Sequence, residues 1–500
     1  MSQDRPDNAV ECIPFTHDAF CDQVRIASQG HDEASPNLQT EYLASFMTEL
    51  KAKVMLVEHH YLDRHFVEEV SSYYSKRFLQ IQNHCTRVHF LTSELDEAGL
   101  DAKLEEAANG GADGLRTFLQ AAYLGYVVIR PLPSVPIGRT IVKPWNTESR
   151  RFFGALGTYD VHLLGASLAV EGLAFQQQDT AVAACATTAV WTALQRVSKN
   201  EGFRAPTPAA ITDAAVRHYV PLGRSLPSSG LTVEQMLDAL RAFDFPAAKI
   251  SVGGDVQSFL MQTHVYLRSG IPVILVIRTP NGGHAVTAVG YRRANQGPPS
   301  YPLGDPPVTL RSHNLDLAQI YVHDDRLGPY ARVSFQDRQG PQDSALVLEL
   351  ELPGGGTEHS LVSLALAPLY PKLRTSAREL IACTLEMGRW ADSLATDLEK
   401  ELGLEVWFDR SGTYQESLYE QQLSPERMAR FQRGVALSRY VGVSRWYLDG
   451  EPFVDALWDT TDRIREKTHS QDSLLGLVML QDPLRPDLQN LADDQGVPLW

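Results

Sequence analysis

Phe175 to Trp191 reads Phe-Gln-Gln-Gln-Asp-Thr-Ala-Val-Ala-Ala-Cys-Ala-Thr-Thr-Ala-Val-Trp, which puts a lone cysteine at the start of a helix-forming stretch with glutamines just upstream. A thiol that attacks a carbonyl needs a base, a group that orients the base, and donors for the oxyanion that forms. His284, in Gly283-His284-Ala285-Val286, is the candidate base for Cys185. Asp324, at the end of Ile320-Tyr321-Val322-His323-Asp324, is the candidate orienter, with Asp325 in reserve. Gln178 is the first choice as the side-chain donor that meets the oxyanion beside the Cys185 backbone N–H. Gln177 is its reserve, because the distance between glutamine and cysteine depends on loop geometry. Taken singly, each residue has an ordinary structural role: a small cysteine packs a core, an Asp-Asp pair ends a strand in solvent, and a glutamine run lies in a loop. The ordered combination is what spells acyl transfer through a thiolate. That chemistry requires no metal and no organic cofactor.

The elements around these residues are legible to different degrees. Val182, Ala186, Ala189, Val190, Ala193, Leu194 and Val197 recur at helical spacing and put Cys185 in the first turn, at the positive end of the helix, a setting suited to a reactive thiol. Thr207-Pro208 opens a helix, Thr232 with Gln235 forms a capping box, and a helix over Val256 to Arg268 stops at Gly270. Strands are expected at Val273 to Ile277, His284 to Tyr291, Gln319 to His323 and Tyr330 to Phe335. Helices first and antiparallel strands second make an α+β segment.

Five hundred residues exceed one ordinary core. The expected division is a loose polar N-terminus over 1–35, a mixed α/β domain over 36–150, the α+β domain over 151–345, a C-terminal α+β domain over 346–480 and a polar tail over 481–500. Within the first domain the pattern from Leu38 to about Leu100 is mostly helical, and Tyr123 to Lys143 reads as two strands around a Pro-rich turn.

Residues 170 to 335 resemble the papain-like cysteine peptidase superfamily, and most of all its bacterial C39-like branch. The likeness rests on Gln-Gln-Asp ahead of Ala184-Cys185-Ala186, on Ile271-Pro272-Val273-Ile274, on Gly283-His284-Ala285-Val286 and on Tyr321-Val322-His323-Asp324. Gly230-Leu231-Thr232-Val233-Glu234 also sits where that branch has a similar segment. It covers about a third of the chain, with no counterpart for the flanking domains. The branch usually has glycine after the cysteine, where this chain has Ala186, so the close approach that glycine permits is missing there. The resemblance implies a papain-like central domain with Cys185 as nucleophile, His284 as base, Asp324 as orienter and Gln178 in the oxyanion hole.

A formal charge of -16, with no Lys/Arg cluster, argues against nucleic acid and anionic membrane as partners. No apolar run reaches the length of a membrane span, and the N-terminus opens into polar residues. Five scattered cysteines suit a reducing cytoplasm better than a disulfide framework. Other clusters fail as chemistry. Glu58-His59-His60 with His65, and His84, Cys85 and His89, match no zinc spacing, and the former reads as a solvated helix face. Gly110 to Gly114 lacks the lysine of a phosphate loop, and Glu416, Tyr419 and Glu420 read as surface charge. The expected activity is a cytoplasmic cysteine hydrolase that cleaves an amide or isopeptide bond in a protein or peptide. The rival readings are an acyltransferase or transglutaminase-like enzyme using the same site, and a papain-like scaffold that binds partners through its flanking domains.

Overall fold

A computed structural model of the chain describes residues 9–30, 37–78, 81–145, 150–179, 184–218, 230–253, 255–303, 307–339, 344–421, 423–434, 436–461, 473–481 and 484–500. Three large sheets and a two-stranded one organise these residues. The first runs β1 (Val10–Pro14), β2 (Val54–Tyr61), β3 (Cys85–Leu91), β4 (Tyr123–Ile129) and β5 (Ile137–Val142), all antiparallel and in chain order. Around it lie α1 (His17–Ala27), α2 (Leu38–Glu49), α3 (Arg64–Ser72), α4 (Glu97–Glu106) and α5 (Ala112–Ala122).

Next come β6 (Arg151–Phe152), the hairpin of β7 (Gly157–Leu163) and β8 (Ala166–Gly172), and the helices α6 (Cys185–Asn200), α7 (Pro208–Ala215) and α8 (Val233–Ala242). The second sheet contains β9 (Ala247–Ser251), β10 (Val273–Thr279), β11 (Gly282–Arg292), β14 (Gln319–Asp324), β15 (Gly328–Gln339), β16 (Ser344–Glu351) and β17 (Thr357–Pro368), with α9 (Val256–Arg268) between its first two strands. Because β17 pairs with both β16 and β10, the ring from β10 through β11, β14, β15 and β16 closes on itself. The third sheet joins β12 (Ser300–Leu303) and β13 (Val308–Ser312) to β18 (Leu402–Arg410), β19 (Tyr440–Leu448), β20 (Glu451–Asp459) and β21 (Leu474–Met479). It carries α10 (Ala377–Glu386), α11 (Gly388–Asp397), α12 (Ser411–Glu420), α13 (Pro425–Gly434) and α14 (Arg485–Gln495). The chain is thus α+β throughout.

Several expectations change. The 1–35 stretch is not loose over its described part: Val10, Cys12 and Ile13 pair with β2, and Thr16 caps α1 through the Ala19 amide. Short alternation inside a polar context hid this strand. Leu38 to Leu100 is not mostly helical, since β2 and β3 occupy Val54–Tyr61 and Cys85–Leu91; β2 opens with four consecutive buried apolar residues and β3 is buried almost throughout with polar residues among its apolar ones, so neither shows a clean alternation. The boundary at 345 falls inside the closed ring, which continues through β16 and β17 to Pro368, while β12 and β13 from the middle of that segment belong to the third sheet. The 481–500 tail is not a loose tail. Helix α14 packs there, and Trp500, buried against Phe431, exchanges backbone hydrogen bonds with Leu477 and Met479. Its many polar residues mask the apolar anchors Leu488, Leu491, Leu499 and Trp500 and give the stretch its tail-like composition. Among the described residues, no helix is long and apolar enough to cross a membrane.

The first sheet's layer is keyed to the second. The Tyr42 ring of α2 lies against Gly328, where an added Cβ would sit 2.0 Å from the ring, and the Tyr42 hydroxyl donates to the Pro329 carbonyl at 2.9 Å. The ring is buried and tethered at its far end, so it cannot swing aside. Gly328→Ala should therefore lower stability by about 1–3 kcal/mol through overpacking, read as a lower urea midpoint with an unchanged slope. An unchanged midpoint would show that the α2 contact yields freely.

Candidate active site

Helix α6 brings the thiol into place. It is buried along most of its length, and its polar side chains are spent on neighbours: Trp191 donates to His65 Nδ1 at 3.0 Å and Thr192 to the Ala174 carbonyl at 3.3 Å. Thr287 of β11 donates to the Ala189 carbonyl at 3.0 Å, which seats the helix on the sheet. Cys185 is the first helical residue, half-buried, and Ala184 before it offers no side-chain cap. The positive end of a 16-residue helix thus meets the sulfur without a competing side-chain acceptor.

The sheet supplies the candidate base and its candidate orienter. Thr287 of β11 pairs with His323 of β14, so Asp324 stands opposite Val286 and diagonal to His284 on the same face. The His284 Nε2 lies 2.9 Å from Asp324 Oδ1, and the imidazole is also hydrogen-bonded to the Cys185 thiol, which leaves Nδ1 for the sulfur. Asp324 is itself fixed. It accepts from the Arg326 backbone N–H at 2.9 Å and from the Arg326 guanidinium at 3.1 Å, and that guanidinium reaches on to Glu358 at 3.0 Å. Asp325, the reserve orienter, stands farther off, with Oδ1 3.6 Å from His284 Nε2 and a buried Oδ2 that has no hydrogen-bond partner among the described residues.

Electrostatics follow from this packing. Burial opposes a charged His284, but the hydrogen bonds to Asp324 and Cys185 and the two aspartate charges outweigh it and push the imidazole up to about 10. Burial alone would raise Asp324, yet the bond and charge of His284, with Arg326 behind them, hold it well below the usual carboxylate range. Burial pushes Asp325 up; attraction to His284 counters this in part, and repulsion from Asp324 adds to it. Two neighbouring carboxylates are thereby driven apart, Asp324 toward the charged form and Asp325 toward the neutral one.

The glutamines separate just as clearly. Gln176, Gln177 and Asp179 are 2%, 4% and 3% exposed, whereas Gln178 between them is half-buried and lines the cleft with Cys185 and His284. The Gln177 Oε1 accepts from the Ile137 amide at 3.2 Å, so the reserve donor is engaged in holding the loop. The cleft has a volume of about 750 Å³; its other described walls include Leu231, Val233, Met236 and Val276. Val182, read into the helix, lies outside the described residues.

Two clusters among the described residues have metal-ligand chemistry. His284, Asp324 and Asp325 are one, but a cation there would compete with the Arg326 guanidinium on Asp324. His17, Cys21 and Glu41 are the other; Glu41 meets His17 Nε2 at 3.0 Å while Cys21 lies 4.0 Å from Nδ1, which makes a chain through the ring rather than a cage. The histidines set aside earlier are structural. Glu58 and His60 lie on strand β2, not on a helix face; Glu58 pairs with Arg87 at 2.7 Å, and the Glu58 charge also reaches buried His89. Arg326, which bonds to Asp324, and Arg130 and Tyr74, which bond to the residues on either side of Gln178, were missed. Arg326 alone had a local signal, two residues past the aspartate.

No protein-family model matches this chain, and no curated protein is similar to it.

The His284–Asp324 pair predicts a pH signature. A raised histidine contributes its stability in full below its ordinary ~6.5 and loses it as pH rises toward about 10. A depressed aspartate contributes above its ordinary ~3.9 and loses it as pH falls. The Tm difference between wild type and Asp324→Asn should be widest between about pH 4 and 6.5 and shrink steadily toward pH 10. A difference constant from pH 5 to 10 would mean that the pair is not charged in the folded protein.

Proposed function

We propose that this protein is a cysteine hydrolase that cleaves an amide or isopeptide bond through an acyl-enzyme on Cys185. One observation carries the reading: a single imidazole is hydrogen-bonded to the thiol on one side and to a fixed, charged carboxylate on the other. The supporting frame is papain-like in kind, a nucleophile-bearing helix packed on an antiparallel sheet that carries the base and its orienter. The Cys185 thiolate, formed by proton transfer to His284, attacks the carbonyl carbon. The oxyanion is met by the Gln178 side-chain amide and the Cys185 backbone N–H. His284 passes its proton to the departing amine, and Asp324 keeps the ring in the tautomer and orientation for both transfers. Water, deprotonated by His284, then attacks the thioester, releasing the carboxylate and restoring the thiol. The substrate in this reading is a protein or peptide, and the five free thiols suit a cytoplasmic setting.

Iodoacetamide labelling at pH 5.5, read by peptide mass spectrometry, tests the nucleophile. Half-buried Cys21 is the internal comparator, because burial followed by the charges of Glu41, Asp18 and Asp22 pushes its thiol up to about 12. Cys185 should label at least about 100-fold faster than Cys21, and His284→Ala should remove most of that advantage. Turnover of a quenched mixed-sequence peptide library should vanish in Cys185→Ala and fall about 10²–10³-fold in Gln178→Ala. Equal labelling of Cys185 and Cys21, indifferent to His284, would sink the catalytic reading.

A further inference from the structure

The Gln178 loop belongs, by its hydrogen bonds, to the first sheet rather than to the one that carries His284. Strand β5 is that sheet's outer edge, and residues 175–177 add to it as a further short strand. Thr140 and Phe175 exchange both backbone hydrogen bonds, at 2.8 and 2.9 Å. Gln177 donates its amide to the Ile137 carbonyl at 3.0 Å, and the Gln177 side-chain oxygen takes the Ile137 amide in return, standing in for a backbone carbonyl. On the far side of Gln178, the Tyr74 hydroxyl donates to the Asp179 carboxylate.

Beneath the added strand lies buried Arg130. Its guanidinium donates to the carbonyls of Val135 at 3.0 Å, Ile137 at 3.3 Å and Gln177 at 3.4 Å, and meets buried Glu69 at 3.5 Å. A buried ion pair is a poor source of net stability, and an apolar pair of similar volume serves as well. What Arg130 does that no apolar side chain can is tie β5 to the carbonyl of the residue just before Gln178.

We propose that Arg130, Glu69 and Tyr74 are positioning residues of the active site, and that the first sheet thereby sets where the Gln178 amide meets the oxyanion. This rests on the hydrolase reading above. Gln178 is pinned on both flanks by buried contacts and is itself the one residue of the run left to face the cleft. The domain N-terminal to the catalytic helix is then part of the catalytic machinery, not an appendage.

Two reactions of the same sulfur separate this effect from general damage. Alkylation by iodoacetamide is a displacement at carbon and forms no oxyanion. Acylation by p-nitrophenyl hexanoate, followed as the p-nitrophenolate burst, passes through one. Tyr74→Phe, which keeps the ring and removes the donor, should slow acylation about tenfold and leave alkylation within twofold. Arg130→Lys should do the same where it folds, as judged by far-UV circular dichroism and Tm, with Gln178→Ala as the limiting case. Acylation unchanged in Tyr74→Phe would overturn the inference, and so would alkylation falling in step with acylation. A wild-type Cys185 that labels fast but never acylates would remove the oxyanion hole and this inference together. A Cys185 slow in both reactions would instead overturn the hydrolase reading itself.

Discussion

The structure depends on the burial of α6. Twelve of its 16 residues are buried, and the layers of all three large sheets hold it. The first sheet's layer reaches it through His65, which accepts the Trp191 indole N–H; the second through Thr287; the third through Arg410, which donates to the Asn200 carbonyl and meets Glu201 at 3.1 Å. Tyr440 and Arg439 close on the same glutamate. A helix pinned at its C-terminal end and flank has little freedom to slide, so its first residue is held to the precision of the packing around it. Cys185 is that residue. Burial of its other end is what fixes the thiol.

The legible parts of the sequence were those in which local chemistry and long-range packing agree. Helix α9 runs over Val256–Arg268 as its apolar spacing and Gly270 foretell, and Thr232 with Gln235 forms the full capping box. The strands bearing His284 and Asp324 fall where their β-branched runs put them. Their meeting depended on a register that no local pattern carries. The third-sheet insertion of β12 and β13 was invisible for the same reason: its parallel pairing with β18 spans about ninety residues of chain. Gln177 and Gln178 are chemically identical and adjacent, so only the edge of β5 distinguishes them. Single residues were readable; which of two neighbours faces the cleft was a tertiary decision.

The same holds for the aspartates, and there electrostatics makes the choice. Sequence ranks Asp324 only narrowly ahead of its neighbour Asp325, whereas in the fold Arg326 folds back onto Asp324 through backbone and guanidinium alike. A carboxylate already committed to three donors is charged and immobile, which is what a histidine orienter requires. Asp325 has its backbone carbonyl taken by Gln39 of α2, at 3.2 Å, and its side chain left beside a charge it cannot fully share. Two like charges this close to one imidazole cannot both be held cheaply in a buried site, so the protein ionises one and burdens the other.

The parts of the site therefore come from different layers for a physical reason. In the proposed hydrolase a thiol and its base want a closed, rigid setting, and the helix-on-sheet contact of α6 with β11 offers one. An oxyanion donor wants something else: a backbone that presents one side chain outward while its neighbours are locked. Strand addition does this well, because alternate residues of a strand face opposite ways and the backbone is fixed by the edge it joins. Edge strand β5 would otherwise expose unpaired amides and carbonyls. Its completion by Phe175 and Gln177 satisfies that edge and, in the same hydrogen bonds, delivers Gln178 to the cleft. The first sheet needs the loop to finish its edge as much as the loop needs the sheet to hold its shape, and that mutual need joins the N-terminal layer to the cleft at Cys185.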